Sequence, residues 1–508
     1  MPGRMEFRFD LPARDATPSR RGPDTPMRVL LLGDFSGRDH REAPSAMTDL
    51  ASRRLHAVDI DNLNAVMARL APKLHLPLGG EAGGFSTTIT FMQLDDFHPD
   101  ALYQRLDLFQ ALRRTRARLL NPASFAQAVA ELTPLPGPEP AQAGPPPAEE
   151  NEAHLLERLL GRTPATPPPR TPTERGTTTI NTLLQTIVQP HIVHTDPHQA
   201  EWIAAVDTAI SDQLRAVLHH PTFQALEAVW RGVHGLVANL EGDNAVRIYL
   251  LDVTQQELLF DLKTAGGDPK ATGLYTLLID QGVRAHGGQP WSLLVGDYTF
   301  DAAAEDIALL AMLGTLGAYA GGPFLAAAAP SVLGCADATT LTDPSQWSPL
   351  AAEAAEHWRL LRHSAVAPWL GLVLPRVLLR LPYGRNTDPV EQISFEEMPL
   401  GRDPSAYLWG NPALVCARLL IAGFVENGWD SSPGDMLEID DLPAHIHTEA
   451  SERVLQPCAE VLLGERAMSA ILARGLMPLL SHRQRNAVRL ARFQSLADPP
   501  AALAGYWL

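Results

Sequence analysis

The chain has 508 residues, 45% of them apolar and 19% charged, a globular composition that allows two to four domains at about 100 to 200 residues each and sets aside collagen, coiled coil and wholesale disorder. Asp and Glu outnumber Lys and Arg by 58 to 41, a net charge of −17, so the surface repels phosphate backbones and nucleic acid is not an expected partner. Cys335, Cys416 and Cys458 form no C-x-x-C pair, which disfavours a disulfide scaffold or a zinc knuckle and fits a reducing cytoplasm.

Met1 to Asp15 mixes charged and isolated apolar residues without an apolar core, so no secretory signal is read there. Arg28 to Leu32 is an apolar strand ending in Gly33-Asp34, and Asp59 to Leu70 is a short helix. Thr87 to Leu94 is a second strand, and Pro99 to Leu132 gives helices that lead away from the sheet. These pieces read as a small α/β unit over residues 1–133, with a net charge of +1 against −18 for the rest. Twelve of the 44 prolines then fall between Pro134 and Pro172, a tether of polyproline character over residues 134–176. Leu155, Leu156, Leu159 and Leu160 are spaced as a docking helix or a transient helical turn within it.

Residues 177–508 read as a larger α/β unit. A long amphipathic helix carries Trp202, Val206, Ile210, Leu214 and Val217 on one face. After a His219-His220-Pro221 corner, a second helix buries Phe223, Leu226, Trp230, Val233 and Val237, with Pro221 as its first residue. Val246 to Val253, Trp291 to Val295 and Leu370 to Leu381 are apolar runs expected for strands covered on both faces, and Thr254-x-x-Glu257 is a capping box. Ile307 to Cys335 lacks charge over 29 positions. Its glycines and prolines nevertheless break it into a helix, a turn and a Phe324 to Ala329 strand rather than a membrane span.

Catalytic motifs are sparse. Gly33-Asp34-Phe35-Ser36-Gly37 follows a strand but lacks the third glycine of a dinucleotide loop and the Gly-Lys-Ser/Thr of a P-loop, so a turn needing glycine φ angles is preferred. Asp59 to Asn64 fails as a calcium loop. His219 and His220 point apart, as capping or packed imidazoles do. His445 and His447 would share one side of a strand near Asp440, Asp441 and Glu449. They are the best metal candidates, without a third ligand set by spacing. Trp230, Trp358 and Trp409 read as core anchors, and the pairs Asp440-Asp441 and Glu396-Glu397 as ordinary for an acidic chain. No Gly-x-Ser-x-Gly elbow is present. The residues on their own suggest a non-enzyme of two joined α/β units: a small domain tethered to a larger one with a mostly buried mixed sheet.

Several phrases together carry a resemblance. Met27 to Arg38, with Gly33, Asp34, Phe35, Ser36, Gly37 and Arg38 as its end, and Asp95-Asp96-Phe97-His98-Pro99-Asp100 resemble the small subunit of the type VI secretion contractile sheath, TssB. The remainder resembles the large subunit, TssC (the EvpB/ImpC/VipB family). The first phrase is Leu218 to Gly232, with His219, His220, Pro221, Phe223, Leu226, Glu227, Trp230, Arg231 and Gly232. Others are Leu293 to Asp301, Pro375-Arg376, Arg380-Leu381-Pro382-Tyr383-Gly384 and Trp409-Gly410-Asn411-Pro412. The order of these phrases is that of a fusion of the two subunits.

The resemblance implies a cytoplasmic structural protein of a Gram-negative cell that needs no cofactor, catalyses nothing and inserts in no membrane. It would polymerise around an inner tube of Hcp type and support contraction-driven delivery. It implies as partners other TssB- and TssC-type subunits and itself, baseplate proteins, and a ClpV-type unfoldase. In the large-subunit family the stretch resembling Gly475 to Leu496 is followed by further helical and β structure, whereas this sequence reaches Leu508 soon after. A large-subunit region lacking its usual C-terminal part is therefore expected, with an edge for another protein to complete. The alternatives are an accessory that caps, nucleates or links sheath and baseplate, or a metal-dependent enzyme using His445 and His447. The motif residues are expected to serve structure or assembly.

Overall fold

A computed structural model of the chain describes residues 25–40, 49–78, 85–132, 199–240, 245–449, 452–505 and 507. The tether 134–176 and its Leu155 to Leu160 island lie outside the described residues. The first elements are β1 (Met27–Gly33), β2 (His56–Val58), α1 (Leu63–Leu70), β3 (Lys73–Leu78), β4 (Phe85–Thr90), α2 (Pro99–Arg105), α3 (Asp107–Leu120) and α4 (Pro122–Leu132). There follow α5 (Gln199–Leu218), α6 (Pro221–Val237), β5 (Val246–Asp252), α7 (Gln255–Thr264), β6 (Leu293–Phe300), α8 (Ala304–Ala320), β7 (Phe324–Ala328), α9 (Ala352–Arg362) and β8 (Leu370–Leu374). The last are β9 (Val377–Leu378), β10 (Trp409–Gly410), α10 (Pro412–Asn427), β11 (Glu438–Ile439), β12 (His445–Glu449), β13 (Glu452–Gln456), α11 (Glu465–Ala473), β14 (Met477–Ser481) and β15 (Val488–Leu490).

Among the described residues two compact units emerge, one drawn from the ranges 1–76, 88–101 and 215–508, the other from 77–87 and 102–214. In the second, α3 and α4 pack as a helical hairpin. Arg118 clamps Glu131 with bonds of 2.6 and 2.8 Å. Gln199 Nε2 donates to the carbonyls of Leu119 and Leu120 at the end of α3, which would otherwise lack partners. Arg116 meets Asp207.

The first unit holds a nine-stranded sheet among the described residues, in the order β11-β15-β14-β8-β7-β6-β1-β5-β2. The strands β5, β1, β6, β7, β8 and β14 run parallel, whereas β2, β15 and β11 add antiparallel edges. The α/β reading and its mostly buried mixed sheet therefore hold. Where the first strand goes is different. The sequence suggests a small α/β unit with its own sheet, but β1 pairs with β5 over seven residues and with β6 over four. The reason is burial. Six of the seven residues of Met27–Gly33 are buried, Val29 and Leu30 completely, and a strand apolar on both faces needs partners on both edges and cover on both sides.

The uncharged stretch resolves as expected into α8, a Gly-Gly-Pro turn and β7. Most of α8 is buried around its full circumference, as for a helix inside a large core. No described helix is long and apolar enough to cross a membrane. The Thr254 capping box forms in both directions. Leu370 to Leu381, expected as one strand, divides into β8 and β9, and Thr87 to Leu94 into β4 and a short 3-10 turn, Leu94–Phe97.

Because Leu30 is wholly buried in the middle of the sheet, Leu30→Ala is expected to destabilise the protein by about 2 to 5 kcal/mol. Urea unfolding followed by tryptophan fluorescence measures this, and a loss below about 1 kcal/mol would contradict the central position of β1.

Candidate functional site

In an open α/β sheet, ligands are usually received where strand order reverses, outside the carboxyl ends of the strands. Here the chain goes from β1 outward to β5 and then returns past β1 to β6, so that place lies beyond Gly33 and Gly296. The protein fills it with its own side chains. Phe35 is 1% exposed and meets the indole of Trp230 edge-on at 5.8 Å. The Trp230 Nε1–H donates to the Phe35 carbonyl at 2.9 Å. Asp34 accepts the backbone N–H groups of Arg38 and Asp39, and the Ser36 N–H donates to Asp252. Arg38 reaches the Asp252 carbonyl at 2.6 Å and the carboxylates of Asp252 and Glu257. Arg53 grips Glu257 with both Nη atoms of its guanidinium.

Burial pushes the Asp252 carboxyl up, partly offset by Arg38. Burial also acts on Glu257, but Arg53 and the Thr254 N–H outweigh it and hold its pKa low. Burial, reinforced by the charge of Asp34 and opposed by a hydrogen bond with Asn411, raises Asp297 to about 6. Only one of the loop's two glycines needs its special backbone. Gly37 has φ +70°, and a Cβ there would meet the Lys73 carbonyl at 2.8 Å. Gly33 completes β1 in an extended conformation.

A second cluster lies on the same helix, α6. Glu227 and Glu397 have fully buried side chains, and Arg380 between them is 7% exposed. The Arg380 guanidinium donates Nε to Glu227 at 2.8 Å and Nη1 to Glu397 at 2.8 Å, and it lies over the ring of Tyr383 at 4.3 Å. Arg231, one turn after Glu227, donates to Glu227 at 2.7 Å and to the Tyr383 hydroxyl at 3.1 Å. The Tyr383 N–H donates to Glu397 at 2.7 Å, and His219 Nε2 lies 3.3 Å from Glu397. Two carboxylates thus balance two guanidinium groups, with neighbouring donors to satisfy the remaining oxygens. Burial would raise the Glu397 pKa, but the charge of Arg380 and the donors around it bring it down to about 2. Burial raises Tyr383, which stays a neutral phenol.

His220 caps α6, accepting the Thr222 N–H, and Pro221 is the first residue of that helix. Gly232 lets α6 approach α10: a Cβ would stand 2.4 Å from Leu414 Cδ1. Phe223 joins Phe91 and Phe97 in an aromatic cluster. His98 meets Tyr383 edge-on, and the Asp100 carboxylate accepts the N–H groups of Glu391 and Gln392. Leu226 is buried. Thr387 Oγ1 donates to the Pro382 carbonyl, and the Gly384 N–H donates to Asp388. Arg376, after Pro375, pairs with Glu460 elsewhere in the unit.

His445 and His447 stand on β12 as expected. His445 Nδ1 is 2.7 Å from the Tyr407 hydroxyl, His447 is buried, and no group of three metal-ligating side chains forms among the described residues. Glu397 is the main omission of the sequence reading. The Glu396-Glu397 pair looks ordinary in an acidic chain, yet Glu397 is buried at the centre of a charge network, because Arg380, Tyr383 and His219 converge on it only in three dimensions. Arg53 and Asp252 likewise carry no local signal. The one local hint was that Arg380 lies within the Arg-Leu-Pro-Tyr-Gly phrase.

Comparisons with known proteins match two stretches of the chain. Residues 200–497 match the family described as EvpB/VC_A0108, tail sheath N-terminal domain. Residues 3–133 match the one described as type VI secretion system, VipA, VC_A0107 or Hcp2. The type VI secretion system sheath protein TssC1 of Pseudomonas aeruginosa is 33% identical over 343 residues, 64% of this chain and 68% of that protein. The sheath protein TssB1 of the same organism is 31% identical over 100 residues, 19% of this chain and 55% of that protein.

Removing one partner from a buried, charge-balanced network leaves an uncompensated charge and costs about 3 to 5 kcal/mol. Glu397→Gln is therefore expected to lower stability by an amount of that order at pH 7. Since the Glu397 pKa falls from an ordinary 4.5 to about 2, its contribution is complete above pH 4.5 and is lost as pH falls through 2. Urea titrations of both proteins from pH 7 downward should show the gap narrowing across that window. A gap independent of pH would contradict the ionised pair.

Proposed function

The chain belongs to the type VI secretion sheath family, with a TssB-like stretch followed by a TssC-like one, and from that premise we propose that it is a fused sheath subunit. In this reading residues 1–133 act as the small-subunit part, 134–176 as the tether and 177–508 as the large-subunit part. The fused subunit assembles with other sheath subunits and with copies of itself around an inner tube in the cytoplasm. The role is structural. Contraction draws on free energy stored in the extended lattice, while baseplate proteins and a ClpV-type unfoldase act at the start and end of the cycle.

The single observation that carries this reading is that motif residues of the first matched stretch bind residues of the second. Phe35 meets Trp230, Arg38 meets Asp252 and Glu257, Phe97 meets Phe223, and His98 meets Tyr383. Side chains committed to one another in this way suit a part that transmits force better than one that turns over a substrate. The second reading, an accessory that caps or nucleates the sheath, shares the same residues and differs only in how far assembly proceeds.

Negative-stain electron microscopy of the purified protein, alone and mixed with separate sheath subunits and inner-tube protein of the same cell, tests this. Tubes are the expected outcome. Small particles attached only to tube ends would establish the accessory reading, and no association with either component would overturn both.

A further inference from the structure

The pairing of β1 with β6 ends at Leu32 and Gly296, and just past that point the two segments carry a carboxylate each, Asp34 and Asp297. On its other edge β6 breaks register with β7 at the same place. Gly296, Asp297 and Tyr298 lie between two paired positions that on β7 enclose Ala326 alone. Such a bulge re-aims a side chain where pairing stops. Here it sets the Asp297 Cβ against the end of β1, 3.2 Å from where a Cβ on Gly33 would stand.

The two acids are served unequally. Asp34 accepts the backbone N–H groups of Arg38 at 2.8 Å and Asp39 at 3.0 Å, which favours its ionised form. Asp297 is partly buried and has Asn411, at the start of α10, as its donor. That amide also serves the carbonyls of Gly296 and Tyr298, at 3.4 and 3.0 Å. The cations nearby are engaged elsewhere. Arg38 goes to Asp252 and Glu257, Arg53 to Glu257, Arg231 of α6 to Glu227, and Arg418 of α10 to Asn239. Tyr298 donates its hydroxyl to the Val253 carbonyl. Glu305 and Asp306 of α8 meet Lys263 and Gln255, and β7 carries no titratable side chain. A like charge beside a partly desolvated carboxylate disfavours its ionised form.

We propose that Asp34 and Asp297 form a pH-sensitive latch between β1 and β6: with both ionised, their repulsion loosens the carboxyl end of β1, and uptake of a proton by Asp297 tightens it. The latch sets how firmly the first matched stretch is held in the sheet of the second, and it does not depend on how the chain assembles. The Asp297 pKa is raised from 3.8 to about 6, so on acidification the folded protein takes up this proton before the unfolded chain does. The penalty is therefore complete above pH 6 and fades as pH falls from 6 toward 3.8.

Hydrogen–deuterium exchange of the full chain, read by mass spectrometry on the peptide that contains β1, tests the proposal. Asp297→Asn keeps the shape of the side chain and removes its charge. Compared with the natural protein at the same pH, it is expected to slow exchange of β1 by at least about tenfold at pH 7.5, since one pKa unit is a tenfold change in the equilibrium. The ratio should shrink steadily as pH falls from about 6 to about 4.5. In an Asp34→Asn background, where the repelling charge is already gone, Asp297→Asn should slow exchange less. A ratio independent of pH, or one that Asp34→Asn leaves unchanged, would overturn the latch. So would faster exchange in Asp297→Asn or its failure to fold, because the proposal requires a protein more stable than the natural one at pH 7.5.

Discussion

A strand in the interior of a parallel sheet must find hydrogen-bond partners on both edges, and for β1 those partners lie far along the chain in β5 and β6. The ladder is continued at its start by the Arg28 N–H, which donates to the Ser292 hydroxyl 264 residues away. Everything placed near the sheet's carboxyl end follows from this pairing. It sets where the Gly33 to Arg38 loop emerges, and it brings Phe35 under Trp230 and Arg38 beside Asp252. Such long-range pairing incurs loop-closure entropy before any contact rewards it.

The buried network around Arg380 has a different physical role. Taking Glu227, Glu397 and Arg380 out of water carries a large desolvation penalty, and mutual attraction repays it only when geometry and extra donors are right. Here they are supplied by Arg231, the Tyr383 N–H and ring, and His219. The network tolerates few alternative arrangements, because any shift leaves a charge without its partner in a medium of low dielectric. It thus ties the loop carrying Tyr383 and the segment carrying Glu397 to helix α6 in one register.

Helix α6 is the element shared by both clusters. One side presents Phe223 and Trp230 to motif residues of the first stretch, another presents Glu227 and Arg231 to the second, and Gly232 lets α10 close against it. That economy explains why the Leu218 to Gly232 phrase is so dense in recognisable residues. It also makes the helix the junction of the two clusters.

Much was legible in the sequence, because some signals are local. Period and capping placed α6 and α7, glycine and proline breaks marked off α8, apolar runs placed β1, β5 and β7, and the His-His-Pro corner marked a helix start, since each depends on a few neighbouring residues and backbone sterics. The family phrases identified the two joined stretches, and glycine at 37 fitted a turn that needs a positive φ. What a residue does beyond its own turn was decided elsewhere. Glu396 and Glu397 are adjacent and chemically identical, yet Glu397 alone has its carboxylate enclosed between Arg380 and the Tyr383 N–H. Likewise β1 carries the pattern of a buried strand, but nothing within it states which sheet will bury it. The sequence by itself determined which segments become strands and helices and which faces are apolar. Only the tertiary structure decided that β1 lies between β5 and β6 and that Glu397 is charged inside the core, because strand partners and ion-pair partners are chosen by burial and desolvation acting between residues remote in the chain.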